Sequence, residues 1–320
     1  MASFDKQSVK RLLCRVLPYP AAARTLGLVL KLPVTEQLFR RRLRAIDSLL
    51  RHMVQPGLDR DEARRRQLGL AVLGSWRYCA LTRARRSVWE RYVTLSGVER
   101  VNEVLQRGKR LIVLNSHYGQ GHVANVALAR MGLDHISLTT RDLLRSTYGL
   151  STTGSGETLH FIELGTDSHQ LRALAQAREA LNRGQVLQMA GDGFRGGSTI
   201  SIPFLQGQRD LRIGFAYLAL LMDAEVIPVF ATLEPTGQVH VDFEHPLAKP
   251  VPYEVGRQAI ESMVKEYGAR LEARWKQDPG QVSADQIRQY LAAFSPVSRD
   301  ADQESRRPRA QRAAEPTRRE

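Results

Sequence analysis

From Ser8 to about Arg91 the apolar residues recur at spacings of three and four, in LLCRVL, LGLVLKL, QLFRRRLRAIDSLLRHM and ARRRQLGLAVLGSWRYCAL. That is the period of amphipathic helices, and Pro33 and Pro56-Gly57 punctuate the run. After Gly97 the texture changes. Val98 to Gln106 has the pattern of a short helix ending in Arg107-Gly108, and Arg110-LIVLN is a short continuous apolar run, the signature of a strand covered on both faces. A helix around His122 to Met131 follows, then strands HISLTT and HFIEL, a helix from Ser168 to Asn182 and, after Gly184, the strand QVLQMA. TISIPF is predicted as a strand and Leu211 to Met222 as a helix. EVIPVFATLE and QVHVDFEHPL read as two strands paired around Pro235-Thr236-Gly237, and an amphipathic final helix runs from Pro252 to about Lys276.

This alternation predicts the α/β class: a layered fold with a mostly parallel central sheet flanked by helices. Three regions are expected, namely a helical, basic N-terminal region over 1–95, an α/β domain over 96–294 and a disordered tail over 295–320. The tail has one valine as its only sizeable apolar residue and therefore cannot bury a core.

Charge sharpens the division. Residues 1–116 hold 24 basic and 9 acidic side chains, a net +15, whereas 117–320 hold 23 and 24, a net −1. A basic block of this kind attracts polyanions: nucleic acid, anionic lipid headgroups or an acidic carrier protein. Arg40, Arg41, Arg42 and Arg44, then Arg64, Arg65 and Arg66, flank or oppose the leucines of their helices and so predict an amphipathic basic surface that contacts a carrier or a membrane. Nucleic acid is disfavoured, because few aromatics interleave with the basic run and no recognition motif occurs. No stretch approaches the roughly 20 apolar residues that cross a bilayer. Ile213 to Met222 reads as a buried helix. The opening MASFDKQSVKRLLCRVLPYPAAA imitates a signal peptide, but Arg15 and Pro18 interrupt its apolar centre, so it is expected to be retained. Two cysteines, Cys14 and Cys79, exclude a disulfide framework and a four-cysteine zinc site.

The segment LIVLNSHYGQGHVANVALA delivers Ser116-His117 from a hydrophobic strand into a turn containing Gly119 and Gly121. A histidine there sits where active sites of open α/β sheets collect, outside the strand carboxyl ends. His122 lies five residues on, about 140° around a helix axis, so the pair is not the one-face arrangement of a zinc-binding helix, and no metal or other cofactor is expected. The second candidate is Gly191-Asp192-Gly193-Phe194-Arg195-Gly196, which matches G-x-G-x-x-G but leads into a strand. A dinucleotide site needs a helix at that point. The turn nonetheless carries Asp192 and Arg195, which could orient a polar substrate.

Taken in order, SGVERVNEVLQRGKRLIVLNSHYGQGH, RALAQAREALNRGQVLQMAGDGFRGGSTISIPFLQGQ and IGFAYLALLMDAEVIPVFATLEPTGQVHVDFEHPL resemble the late acyltransferases of lipid A biosynthesis, in the lysophospholipid acyltransferase superfamily of Gram-negative bacteria. The resemblance covers about Leu38 to Trp275. It implies an acyltransferase on the cytoplasmic face of the inner membrane, peripherally attached, that moves a fatty acyl group from acyl carrier protein or acyl-CoA to a hydroxyl of a lipid A-like or other glycolipid acceptor. In such enzymes a strand-end histidine acts as general base, and an Asp or Glu five residues later holds its imidazole. His117 takes the histidine position. The carboxylate position is occupied by His122, which lacks the negative charge, and Asp192 is the nearest matched acid that could replace it. Arg141 matches a strand-end arginine suited to a phosphate; Arg195, Ser116 and Gly119 complete the expected substrate-binding set. The alternative is a catalytically silent relative that binds acyl chains or lipids.

Overall fold

The computed structural model describes residues 19, 21, 28, 32–53, 59–82, 84–140, 159–164, 167–193, 198–234, 236–250 and 256–293, with the backbone alone for 33, 71–79 and 167–170. Four helices come first: α1 (Pro33–Leu38), α2 (Arg40–His52), α3 (Arg60–Thr82) and α4 (Arg86–Tyr92). The layered part follows as β1 (Val93–Ser96), α5 (Val98–Gln106), β2 (Arg110–Gly119), α6 (Val123–Arg130), β3 (His135–Thr140), β4 (His160–Leu164), α7 (Asp167–Asn182) and β5 (Val186–Ala190). Next are the hairpin β6 (Thr199–Phe204) and β7 (Gly207–Arg212), α8 (Gly214–Met222), β8 (Ala224–Leu233) and β9 (Val239–Phe243). The described chain closes with α9 (Arg257–Gln277), a 3₁₀ turn at Pro279–Gln281 and α10 (Ala284–Ala292).

Seven strands form one sheet in the order β1-β9-β8-β2-β5-β3-β4, and every neighbouring pair is parallel except β8 with β9. The molecule is thus an α/β layered fold with a mostly parallel sheet between helices. Central β2 shows why its sequence is a continuous apolar run. Ile112 and Leu114 pack with α7 and α9 on one face, and Leu111 and Val113 pack with α5 and α6 on the other. Each such side chain, fully enclosed, contributes about 1.5–3 kcal/mol. Leu43, Ile46 and Leu49 of α2 join the first of these clusters, so the basic N-terminal helices share a core with the sheet.

Three elements differ from the sequence pattern. Leu211 and Arg212 are strand, not helix, because Leu211 pairs with Ile200 across the β6–β7 hairpin and α8 begins only at Gly214. Strand β1 straddles the boundary expected between the helical region and the α/β domain, where no strand is expected; its VTLS pairs in parallel with β9. The helix α9 is not the last, since α10 follows it, with the Ser283 hydroxyl capping its first turn by accepting from Gln286 N–H at 3.3 Å. Residues 252–255, the expected start of the final helix, and the expected disordered tail lie outside the described residues. Among the described residues no helix is long and apolar enough to cross a membrane.

Candidate functional site

Strand β2 carries His117 past the regular ladder. Asn115 lies opposite Val229 and Gly119 opposite Ala231, so four steps on β2 match two on β8 and the intervening residues bulge. A bulge re-aims side chains at a strand end. Gly119 makes this geometry possible: its φ of +61° is left-handed, and a Cβ there would sit 2.0 Å from the Ala231 carbonyl oxygen. Gly119 is thereby required by the backbone of the turn that presents His117. Ser116 is buried, and its Oγ accepts the Tyr118 N–H at 3.2 Å.

The partner of His117 arrives from β5. Beyond Ala190 the chain turns at Gly191, whose N–H donates to the Asn115 carbonyl at 3.0 Å, and a Cβ at Gly191 would meet the Tyr267 ring at 2.5 Å. Only glycine fits between β2 and α9, and this tight turn brings Asp192 under His117. One carboxylate oxygen lies 2.9 Å from His117 Nδ1, and both accept the His117 backbone N–H at 3.0 and 3.1 Å. The carboxylate is fully enclosed, whereas the imidazole keeps 29% of its surface exposed. Burial of the carboxylate, its anchoring to the backbone and its contact with Nδ1 make this a held base, not a surface ion pair.

Behind Asp192 lies a second charge. Arg209 of β7 is buried, with Nη2 3.4 Å from the other Asp192 oxygen. Its guanidinium sits 4.4 Å from the Trp275 ring centroid and 4.9 Å from that of Phe204. Gln286 of α10 closes the arrangement: its side-chain oxygen accepts from Arg209, and its amide donates to the Asp192 carbonyl at 2.8 Å. Burial opposes ionisation of Asp192, but the charges of His117 and Arg209 and the hydrogen bonds from His117 hold its pKa below 3.8. For His117 burial opposes protonation, and the charge of Asp192 and its hydrogen bond outweigh it, raising the pKa above 6.5.

His122 stands in the turn before α6, not within it. Burial, reinforced by the charge of His117, pushes its pKa down to about 4. It is therefore neutral at pH 7. A neutral imidazole cannot stabilise an imidazolium as a carboxylate does, so of the two residues expected to serve His117 only Asp192 brings a negative charge. Arg209 and Gln286 are not singled out by the sequence reading. Neither has a signal in the sequence, because the alternate burial of Arg209 and Leu211 in β7 is set by the fold.

Arg40, Arg41, Arg42 and Arg44 are exposed on α2. Arg64 and Arg66, by contrast, are neutralised: Arg64 by Asp47 and Glu36, Arg66 by Glu62, Asp278 and Glu234, while Arg65 pairs with Glu62. Of these two arginine groups, among the described residues, only that on α2 forms no ion pair. Arg141 and Arg195 lie outside the described residues. Among the described residues no group of three or more His, Cys, Asp or Glu side chains is placed to hold a metal ion. Compared with protein-family models and with curated proteins, the chain matches none.

Proposed function

We propose that the protein is an acyltransferase that moves a fatty acyl group from the thioester of acyl carrier protein or acyl-CoA to a hydroxyl of a glycolipid acceptor. The observation that supports this reading is the His117–Asp192 contact at the carboxyl end of the central strand, with an enclosed, anchored carboxylate on Nδ1. With Nδ1 held, Nε2 is the nitrogen assigned to the acceptor. It takes the hydroxyl proton as the oxygen attacks the thioester carbonyl; the new C–O bond forms, the C–S bond breaks, and the imidazolium returns the proton to the departing thiolate. Asp192 stabilises the transient imidazolium, and Arg209 and Gln286 keep Asp192 ionised and aimed.

The test is transfer from labelled acyl carrier protein, and from acyl-CoA, into total membrane lipid, followed by identification of the labelled product. His117→Ala should lower turnover by roughly 100- to 10,000-fold without unfolding the chain. Unchanged turnover in that variant would remove the chemistry. Acyl binding with no transfer from either donor would instead favour a silent lipid-binding protein.

A further inference from the structure

Three buried glutamines lie at the junction between the N-terminal helices and the sheet: Gln67 of α3, Gln281 of the 3₁₀ turn and Gln286 of α10. Glutamine is mostly found at the surface, because a buried amide costs free energy wherever it is left unpaired. Each of the three directs its amide to a main chain. Gln67 Nε2 donates to the Val282 carbonyl. Gln281 accepts the Leu233 N–H at 3.0 Å and donates to the Leu233 carbonyl at 2.8 Å, as a neighbouring strand would. Gln286 donates to the Asp192 carbonyl at 2.8 Å.

The segment 278–286 thereby holds both members of the His117–Asp192 pair. Val282 forms an isolated antiparallel bridge with Tyr118, next to His117 on the bulged end of β2, and Gln286 then holds Asp192. Gln281 fixes Leu233 at the end of β8, the strand against which the bulge is registered. The segment is held in turn by α3, which packs on the 3₁₀ turn and ties Gln67 to Val282 and Arg66 to Asp278. Gln67 is the informative member. Its Oε1 is buried and, among the described residues, has no hydrogen-bond partner, a cost that an apolar side chain would avoid. Stability therefore does not account for a glutamine at this place, whereas the bond to Val282 does.

We infer that Gln67 is a positioning residue for His117: through Val282 it fixes Tyr118, and with it the bulge from which the imidazole is aimed at Asp192. The N-terminal helices are then tied to the catalytic pair by a specific hydrogen bond as well as by their leucines. The effect on rate rests on the acyltransferase reading; the effect on geometry does not, and it is measurable without substrate. The charges facing His117 are those of Asp192, Arg209 and, from α10, Asp285, with neutral His122 beside them. Loosening the segment draws the imidazole from Asp192 and α10 from the imidazole, and both changes lower the His117 pKa.

The test is Gln67→Met in the full chain, a substitution of similar length that removes both the donor and the unpartnered oxygen. Amide hydrogen exchange at Tyr118 should accelerate by about 10-fold, while that of Ile112 and Leu114 in the same strand holds. The His117 titration, followed at its Cε1–H resonance and assigned by its loss in His117→Ala, should move to lower pH. In transfer from labelled acyl-CoA, kcat should fall by about 10- to 100-fold, the cost of a misplacement of about 1 Å, with KM nearly unchanged. Gln67→Glu, whose carboxyl burial keeps protonated and able to donate to Val282, should restore all three readouts. Should Gln67→Met not fold, Arg66→Gln, which loosens the same segment from its half-buried end, decides by the same exchange and titration, with smaller changes expected. Tyr118 exchange and a His117 titration that both stay at their wild-type values would overturn the inference. So would an acceleration uniform along β2, which would mark Gln67 as a support of the whole fold. A chain that transfers no acyl group, yet shows the local exchange and the lowered titration, would refute only the acyltransferase reading.

Discussion

Two turns converge on His117, and they meet it with opposite electrostatics. The turn after β5 brings Asp192, whose buried carboxylate is held by Arg209 and the His117 backbone N–H and whose main-chain carbonyl accepts from Gln286. The turn after β2 brings His122, also drawn away from solvent but neutral, with a pKa of about 4. The acid expected beside a strand-end histidine is missing from the sequence-adjacent turn and present in the one 75 residues away. The comparison teaches that the chemical requirement, a charge on Nδ1, is attached to a place in the fold more than to a spacing in the chain.

Breaking the charged side should have the larger effect. Asp192→Asn removes the anion that aims and stabilises the His117 imidazolium, and transfer should fall by about 1,000- to 10,000-fold. It also leaves Arg209 buried without its carboxylate, so stability should drop by about 3–5 kcal/mol, read as a lower urea midpoint. The residual activity carries a signature. In wild type the acid limb of kcat/KM follows a His117 pKa raised above 6.5, since only the neutral imidazole accepts a proton. Without Asp192, burial and the charge of Arg209 prevail, the imidazole stays neutral to lower pH, and the limb moves in the acid direction. A limb that stays in place would show that Asp192 does not control the His117 proton.

The strands, the strand-end histidine and Asp192 were readable because each has a local signature. RLIVLN is apolar without interruption since both its faces are covered, and the glycines of GDG announce a tight turn at a strand end. What escaped was made by contacts distant in sequence. VTLS of β1 is too short and too exposed to display a period, and it becomes a strand only because β9 offers it a ladder. The same applies to charge: Arg209 in GQRDLR resembles an exposed edge residue until Phe204, Trp275, Asp192 and Gln286 enclose it. The two arginine groups look alike as sequence, yet Arg66 is neutralised by Asp278 from 212 positions away while α2 keeps its arginines outward. Buried polar partners leave no periodic trace.

The neutral side of the comparison is tested through stability. The folded pKa of His122 is depressed to about 4 from an ordinary 6.5, so between those values the unfolded chain binds the extra proton and stability rises with pH. The contribution is complete above about pH 6.5 and is lost as pH falls toward 4, a change on the order of 3 kcal/mol. His117, with its raised pKa, works in the opposite direction: its contribution is present below 6.5 and is lost as pH rises through the folded value. His122→Gln removes the first titration only. The urea midpoint should therefore fall less from pH 7 to pH 5 in His122→Gln than in wild type. An equal difference in both proteins would mean that His122 is not held neutral by burial.

The smallest effect is expected from restoring the missing acid in its adjacent position. His122→Glu places a carboxyl group where burial disfavours its charge, so its own pKa should be raised. Any charge it does carry would act on an imidazole whose Nδ1 is already engaged by Asp192 at 2.9 Å. A second anion then adds little, and turnover should change by less than about 10-fold, since a partly exposed charge pair is typically worth no more than about 1 kcal/mol. In the Asp192→Asn background the same substitution meets an imidazole that has lost its carboxylate, and the proportional gain should be larger. Transfer by wild type, the two single variants and the double variant closes the cycle. A large gain in the wild-type background would reverse the comparison, showing that Asp192 only anchors the β2 backbone and that the catalytic charge belongs beside His122. Equal proportional gains in both backgrounds would show that the two turns act on His117 independently.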